Sequence, residues 1–193
     1  GGGAAGGGFW VRGVGQAGFR VGPWSCQEVG AVLLVTLGNV YSLFVQSALT
    51  GGFDPAGAAP AVLERPVLDR WCLSRLAETV DAVRQAMERY DAPDACKAVA
   101  TYVEDLSKWY VRRSRRRFWK SSGTNDDALS AFATLNTVLI ALAGLVAPFM
   151  PFMADRMYRN LAGFNGDPPS TGVMPDSGHL TAFPTVPGPG PAL

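Results

Sequence analysis

At 193 residues the chain has room for one domain with a real core and loose ends. Glycine and proline gather mostly at the two ends, and residues 69–162 have an ordinary globular composition. Three cysteines without CxxC spacing argue against a disulfide framework and for a reducing compartment, and a single histidine, His179, excludes a zinc site built from His and Cys.

Residues 1–8 are only Gly and Ala, too flexible to order by themselves. Residues 13–18 spell G-x-G-x-x-G, but Gly22-Pro23 follows where a helix should open, and no carboxylate sits near position 38. The dinucleotide fingerprint is therefore set aside. The start carries no Met and no charged-then-apolar signal pattern, which suits an intracellular chain numbered from an interior point.

From Ser25 the periodicity predicts a capped helix to about Leu49, with Glu28 in its first turn and Leu33, Leu37, Val40, Phe44 and Ala48 as its buried stripe. Gly38 weakens its middle, and residues 51–66 read as a linker. A second, amphipathic helix opens near Asp69 with Cys72, Leu76, Val80, Val83, Met87 and Tyr90 inward. A third starts at Asp91-Ala92-Pro93 and carries Cys96, Val99, Val103, Leu106 and Tyr110. That spacing, carried on, reaches Arg113 and Arg117, so the core face is expected to turn cationic as the helix leaves the bundle. Trp109, Arg112 and Arg116 form a neighbouring row. Thr124 or Asn125 caps a fourth helix with Leu129, Phe132, Leu135, Leu139, Leu142 and Val146 inward. Pro151 opens a short fifth through Leu161 that carries Phe152, Met153, Met157 and Leu161. Seven prolines after Gly163 predict an irregular tail. No segment reads as strand, so the expected fold is all-α, an antiparallel bundle of about five helices with irregular ends.

The outstanding stretch is residues 109–119, W-Y-V-R-R-S-R-R-R-F-W. With Lys108 and Lys120 it holds seven of the seventeen basic residues, leaving ten against sixteen acidic ones elsewhere. Such a local excess makes an anion-binding surface whatever the total charge. Three readings stay open: an ion-paired or solvated helix end, a nucleic-acid contact in which guanidiniums take phosphates and aromatics stack, or a dock for another domain. A solvated face alone would not carry Trp109, Tyr110, Phe118 and Trp119. Residues 29–53 and 128–154 are uncharged and long enough to span a bilayer. The polar residues within the second, and the amphipathic helices between them, argue instead for no membrane. No catalytic or metal constellation is expected. There is no P-loop pattern, the only histidine is in the tail, and the carboxylate pairs Glu104/Asp105 and Asp126/Asp127 point to different helix faces.

Three motifs, in order and spacing, resemble the anticodon-binding helical domain of isoleucyl-tRNA synthetases. They are D-R-W-C-L-S-R-L at residues 69–76, the run at 109–119, and L-V-A-P-F-M-P-F at residues 145–152. The run points to the isoleucine enzyme over its valine and leucine relatives. The match is strong over 69–162 and weaker over Gly22-Pro23-Trp24-Ser25 and residues 36–44, where the family usually has tryptophan in place of Gly38. Residues 175–180 resemble the family's exit from this domain. The resemblance implies three segments: a Gly-rich 1–22, the anticodon-binding bundle at 23–162 with its core at 69–162, and a tail at 163–193. It implies a class I synthetase that loads isoleucine onto its tRNA in the cytoplasm with ATP and Mg, as a monomer. The family's HIGH-like and KMSKS-like signatures are absent here, so this chain alone is expected to hold no cofactor and to be inactive. Its expected partners are isoleucine tRNA and the catalytic domain of the parent enzyme. Helical spacing assigns Arg112, Arg115, Arg116, Lys108, Lys120 and Trp119 to RNA, and Arg113, Arg117 and Trp109 to a domain interface.

Overall fold

The structure, a computed structural model, describes residues 23–55, 57, 59–119, 126–162, 175 and 177–186. The G-x-G-x-x-G stretch, Lys120, the capping pair Thr124 and Asn125, and most of the tail lie outside the described residues. Among the described residues the fold is all-α: α1 (Pro23–Gly51), α2 (Val67–Glu88), α3 (Ala92–Asp105), α4 (Arg112–Trp119), α5 (Asp126–Val146) and α6 (Pro151–Leu161). A π-helical segment, Leu106–Val111, joins α3 to α4 in one continuous rod, so five rods make the bundle. The α2–α3 and α5–α6 pairs are helical hairpins, and α1 lies across α3, α4 and α5.

The core follows the apolar stripes. Leu33, Leu37, Val40 and Phe44 of α1 meet Cys72, Leu76, Val80 and Val83 of α2, Val99 and Val103 of α3, and Leu135, Leu139 and Leu142 of α5 in one buried cluster. Of the expected stripe residues, Cys96 and Leu129 are only part-buried, and two more are exposed. Tyr90 is 88% exposed because α2 ends one residue before Arg89. The Asp91 N–H donates to the Ala86 carbonyl (2.8 Å), closing the helix with Tyr90 in the left-handed region at φ 59°. Phe152 is 92% exposed in the first turn of α6. Periodicity overshoots wherever a helix has just ended or just begun. At the other end of the chain, α1 begins two residues before the expected cap at Ser25.

α1 and α5 are each long and apolar enough to cross a membrane, but 72% of the apolar window of α5 is buried inside the bundle. Its hydrophobic side chains are the floor against which α2, α4 and α6 pack. In α1, Gly38 stands mid-helix, and a β-carbon built there meets nothing within 4 Å. Gly38→Ala is therefore expected to raise stability by about 1 kcal/mol, read by urea denaturation; a loss would mean that the backbone there needs glycine.

The described part of the tail is irregular yet seated. Asp155 accepts hydrogen bonds from the Ser177 hydroxyl and from the Gly178 N–H (3.2 Å). The Ser177 bond, with Arg159 nearby, holds the Asp155 carboxyl below the usual carboxylate range. Pro184 lies against Gly144 of α5, where a β-carbon would come within 2.6 Å of the proline ring, and Phe183 sits under the Arg84 guanidinium (5.1 Å).

Candidate nucleic-acid interface

The basic run does not leave the bundle. A π turn takes more residues than an α turn, so the helix face slips by about one position between Leu106 and Arg112. Two consecutive residues, Tyr110 and Val111, are consequently both buried, and the inward positions after them are Ser114 and Phe118, not Arg113 and Arg117. Phe118 anchors the end of α4. Its ring meets Phe132 edge-on (5.2 Å), Phe132 stacks on Phe53 (5.3 Å), and Phe44 packs edge-on against both. Such ring pairs contribute about 0.5–1.5 kcal/mol each beyond their buried area.

The inner side of the rod is fixed by Asp69, which is 0% exposed in the first turn of α2. Arg117 grips it with both guanidinium nitrogens, Nη1 to Oδ1 and Nη2 to Oδ2, each at 2.7 Å. The same Nη2 reaches the Asp127 carbonyl (2.7 Å) and carboxylate (2.9 Å) at the start of α5. Tyr110 completes the cluster. Its hydroxyl is 2.8 Å from Asp69 Oδ1 and 3.3 Å from the Ala131 carbonyl; with one proton to give, it donates over the shorter contact. Burial works against the charge of Arg117, but the Asp69 carboxylate outweighs it and raises the pKa above the ordinary guanidinium value. Burial, then the neighbouring Asp69 charge, pushes the Tyr110 phenol well above its usual value, so it stays a neutral donor. Arg65, lowered by burial and partly restored by Asp69, donates to the Pro60 carbonyl (3.0 Å) and to Thr134 Oγ1 (3.1 Å).

The outer side is cationic and aromatic. Lys108, Arg112, Arg113, Arg115 and Arg116 are all exposed. Lys108 is tied to Glu104 (2.7 Å), Arg113 leans over the half-exposed Trp109 ring (4.9 Å) and Arg115 over Trp119 (5.7 Å). Among the described residues Arg112 and Arg116 make no ion pair. The residues assigned from sequence to RNA thus share one solvent face, except Lys120, which lies outside the described residues. Of the three assigned to a domain interface, Trp109 and Arg113 are on that outer side, and Arg117, 14% exposed on its side chain, is engaged within the bundle.

Beside the Trp119 end lies a cleft of about 440 Å³ between α1 and α4. Asn39, Ser42, Gln46 and Thr50, four exposed polar residues at spacings of three and four, form its α1 wall; Phe118 and Trp119, 76% exposed, form the other. Sequence reasoning followed only the apolar stripe of α1, although this polar row was visible at the same spacing. Amides offer a donor and an acceptor side by side, which is what reading a base edge requires.

Nothing in this arrangement activates a nucleophile. Cys72, the buried thiol nearest the Asp69 cluster, is pushed up to about 12 by burial and lies 3.4 Å from the Tyr102 hydroxyl. Among the described residues no three His, Cys, Asp or Glu side chains group as metal ligands. What the site can do is hold an anion and stack planar groups.

The family described as the anticodon-binding domain of tRNA ligase matches residues 69–188. The chain is 52% identical over 151 residues to an isoleucine–tRNA ligase of Deinococcus radiodurans, covering 78% of this chain and 13% of that protein. It is 42% identical over 181 residues to the Streptomyces avermitilis enzyme (94% and 16%), and 43% identical over 150 residues to that of Thermus thermophilus (76% and 14%). The chain therefore spans about one seventh of the length of these relatives. With the family match covering more than half of its residues on an all-α bundle, the chain belongs to the anticodon-binding domain family of tRNA ligases.

Proposed function

We propose that the chain is the tRNA-binding domain of an isoleucine–tRNA ligase acting in the cytoplasm, with isoleucine tRNA as its partner. The observation that carries this is the outer face of α4. Arg112 and Arg116, which make no ion pair among the described residues, stand between two tryptophans that are each braced by an arginine. Guanidiniums take phosphate oxygens in a fixed fork, and an exposed indole offers a stacking surface to an unpaired base. A loop base leaning on Trp119 would enter the cleft, where Asn39 and Gln46 meet its edge. Phosphates set the position, and the cleft supplies selectivity.

ATP with Mg belongs to the chemistry of the complete ligase. Among the described residues the carboxylate of the Arg112–Arg116 face, Glu104, is already bound to Lys108, so the face offers hydrogen-bond donors for phosphate. Isoleucine activation would rest with the parent's catalytic domain, against which Trp109 and Arg113 are the exposed candidates for docking, in a monomeric enzyme.

Titration of the purified chain with isoleucine tRNA over a salt series tests the reading. Binding is expected at low salt and should weaken steeply as salt rises, because each phosphate contact releases counterions. No binding at the lowest salt would sink it.

A further inference from the structure

The segment that joins α1 to α2 is seated on the bundle at both ends, and α5 receives both contacts. At its start, Gly52 takes the left-handed region (φ 66°), and the Phe53 N–H donates to the Ala48 carbonyl (3.0 Å), closing α1. That turn lays the Phe53 ring on Phe132 of α5, stacked at 5.3 Å with the planes 21° apart. At the other end, Val62 packs against the core, and Arg65 bridges the Pro60 carbonyl (3.0 Å) and the Thr134 hydroxyl of α5 (3.1 Å).

The same Phe132 ring carries both walls of the Trp119 cleft. Phe118, a residue of one wall, meets it edge-on at 5.2 Å. Phe44, on the helix that forms the other wall, meets it at 6.3 Å. Phe53 completes the group by stacking on Phe132 and meeting Phe44 edge-on at 6.2 Å. Phe44, Phe118 and Phe132 are core residues, whereas Phe53 is half-buried and comes from outside the helices. Close-packed rings pass a displacement on to their neighbours, because the interior has little free volume to absorb it. Hydrogen bonding to a base edge tolerates a misplacement of only about 0.5 Å.

We infer that Phe53 is a positioning residue for RNA, holding the cleft at the width that a base stacked on Trp119 requires. It touches no RNA itself. It acts through Phe118 and through the last turns of α1, which carry Gln46 and Thr50. Without its ring, the tie of those turns to Phe132 rests on Phe44. The effect falls on selectivity and spares phosphate binding, since Arg112 and Arg116 stand on the exposed side of α4. The inference rests on the tRNA reading above.

The test uses the full chain and two probes of equal length, the anticodon-loop oligonucleotide of isoleucine tRNA and oligouridylate. Both offer the same phosphates, and only the first offers the bases of the loop. Phe53→Leu keeps an apolar side chain on Phe132 and removes the stack. It is expected to weaken binding of the loop about tenfold and of oligouridylate less than about twofold, with both log–log salt slopes unchanged. Phe53→Tyr restores a ring and should bring the ratio of the two affinities back to within about twofold of the unmodified chain. A general loosening of the bundle would instead lower both affinities together. If Phe53→Leu binds the loop as tightly as the unmodified chain, the inference is overturned and the ring only fills space. Parallel losses on the two probes, or a Phe53→Tyr variant that behaves like Phe53→Leu, overturn it as well. An unmodified chain that binds neither probe refutes the tRNA reading itself, and this inference falls with it.

Discussion

Replacing Asp69 by alanine is expected to lower the stability of the bundle by about 3 kcal/mol, and its melting temperature by about 6–12 °C. Removing one partner of a buried ion pair leaves the other without compensation, and such changes commonly cost about 3–5 kcal/mol. The lower end applies here for two reasons. Arg117 keeps Asp127 as a second, half-exposed acceptor. Tyr110 can turn its proton to the Ala131 carbonyl, so no phenol is orphaned. Asp69→Asn keeps one acceptor oxygen for Tyr110 and Arg117 Nη1 but turns an NH2 toward Nη2, which is left with Asp127. It should cost about 1–2 kcal/mol. Asp69→Leu with Arg117→Met removes both charges and should recover most of the loss of Asp69→Ala, because well-packed apolar groups often match or exceed a buried pair. Urea denaturation of the three variants measures this directly. A result for Asp69→Ala within about 0.5 kcal/mol of the unmodified chain would show that the clamp does not hold the rod.

The helices and their apolar stripes were legible in the sequence because a 3.6-residue period is a local property. Leu33, Leu37, Val40 and Phe44, or Leu135, Leu139 and Leu142, declare their face without any partner. The phase of the basic run was not legible. One π segment between residues 106 and 111 moves the inward positions from Arg113 to Ser114 and from Arg117 to Phe118, and no residue type in L-S-K-W-Y-V announces it. Only the tertiary fit rewards the bulge. It lets Tyr110 reach Asp69 while Val111 stays buried, and it keeps Arg112, Arg113, Arg115 and Arg116 outward. The clamp was equally hidden, since Asp69 and Arg117 are 48 residues apart and either one reads as helix-surface charge. The cleft lies between these cases. Its polar row on α1 was a visible pattern, but that the row faces Trp119 follows only from how α1 crosses the end of α4.

Arg112→Ala/Arg116→Ala should reduce affinity for isoleucine tRNA on the order of 100-fold while leaving stability within about 0.5 kcal/mol. Both side chains are exposed and, among the described residues, without ion partners, so the folded bundle loses nothing that they held. If each takes one phosphate of an unpaired loop, the log–log salt slope should fall by about 1.4; if each sits on duplex, by about 1.8. Trp119→Ala separates charge from stacking. It removes a surface on which a base gains about 1–3 kcal/mol, so affinity should drop while the slope stays constant. Arg115→Ala, which only withdraws the guanidinium from that ring, should weaken binding less than Trp119→Ala unless Arg115 also holds a phosphate, in which case its slope falls too. Fluorescence titrations of the four proteins over one salt series resolve all of these outcomes. If the double arginine variant binds with unchanged affinity and slope, the phosphates are not on α4, and the face would have to be read as a dock for protein.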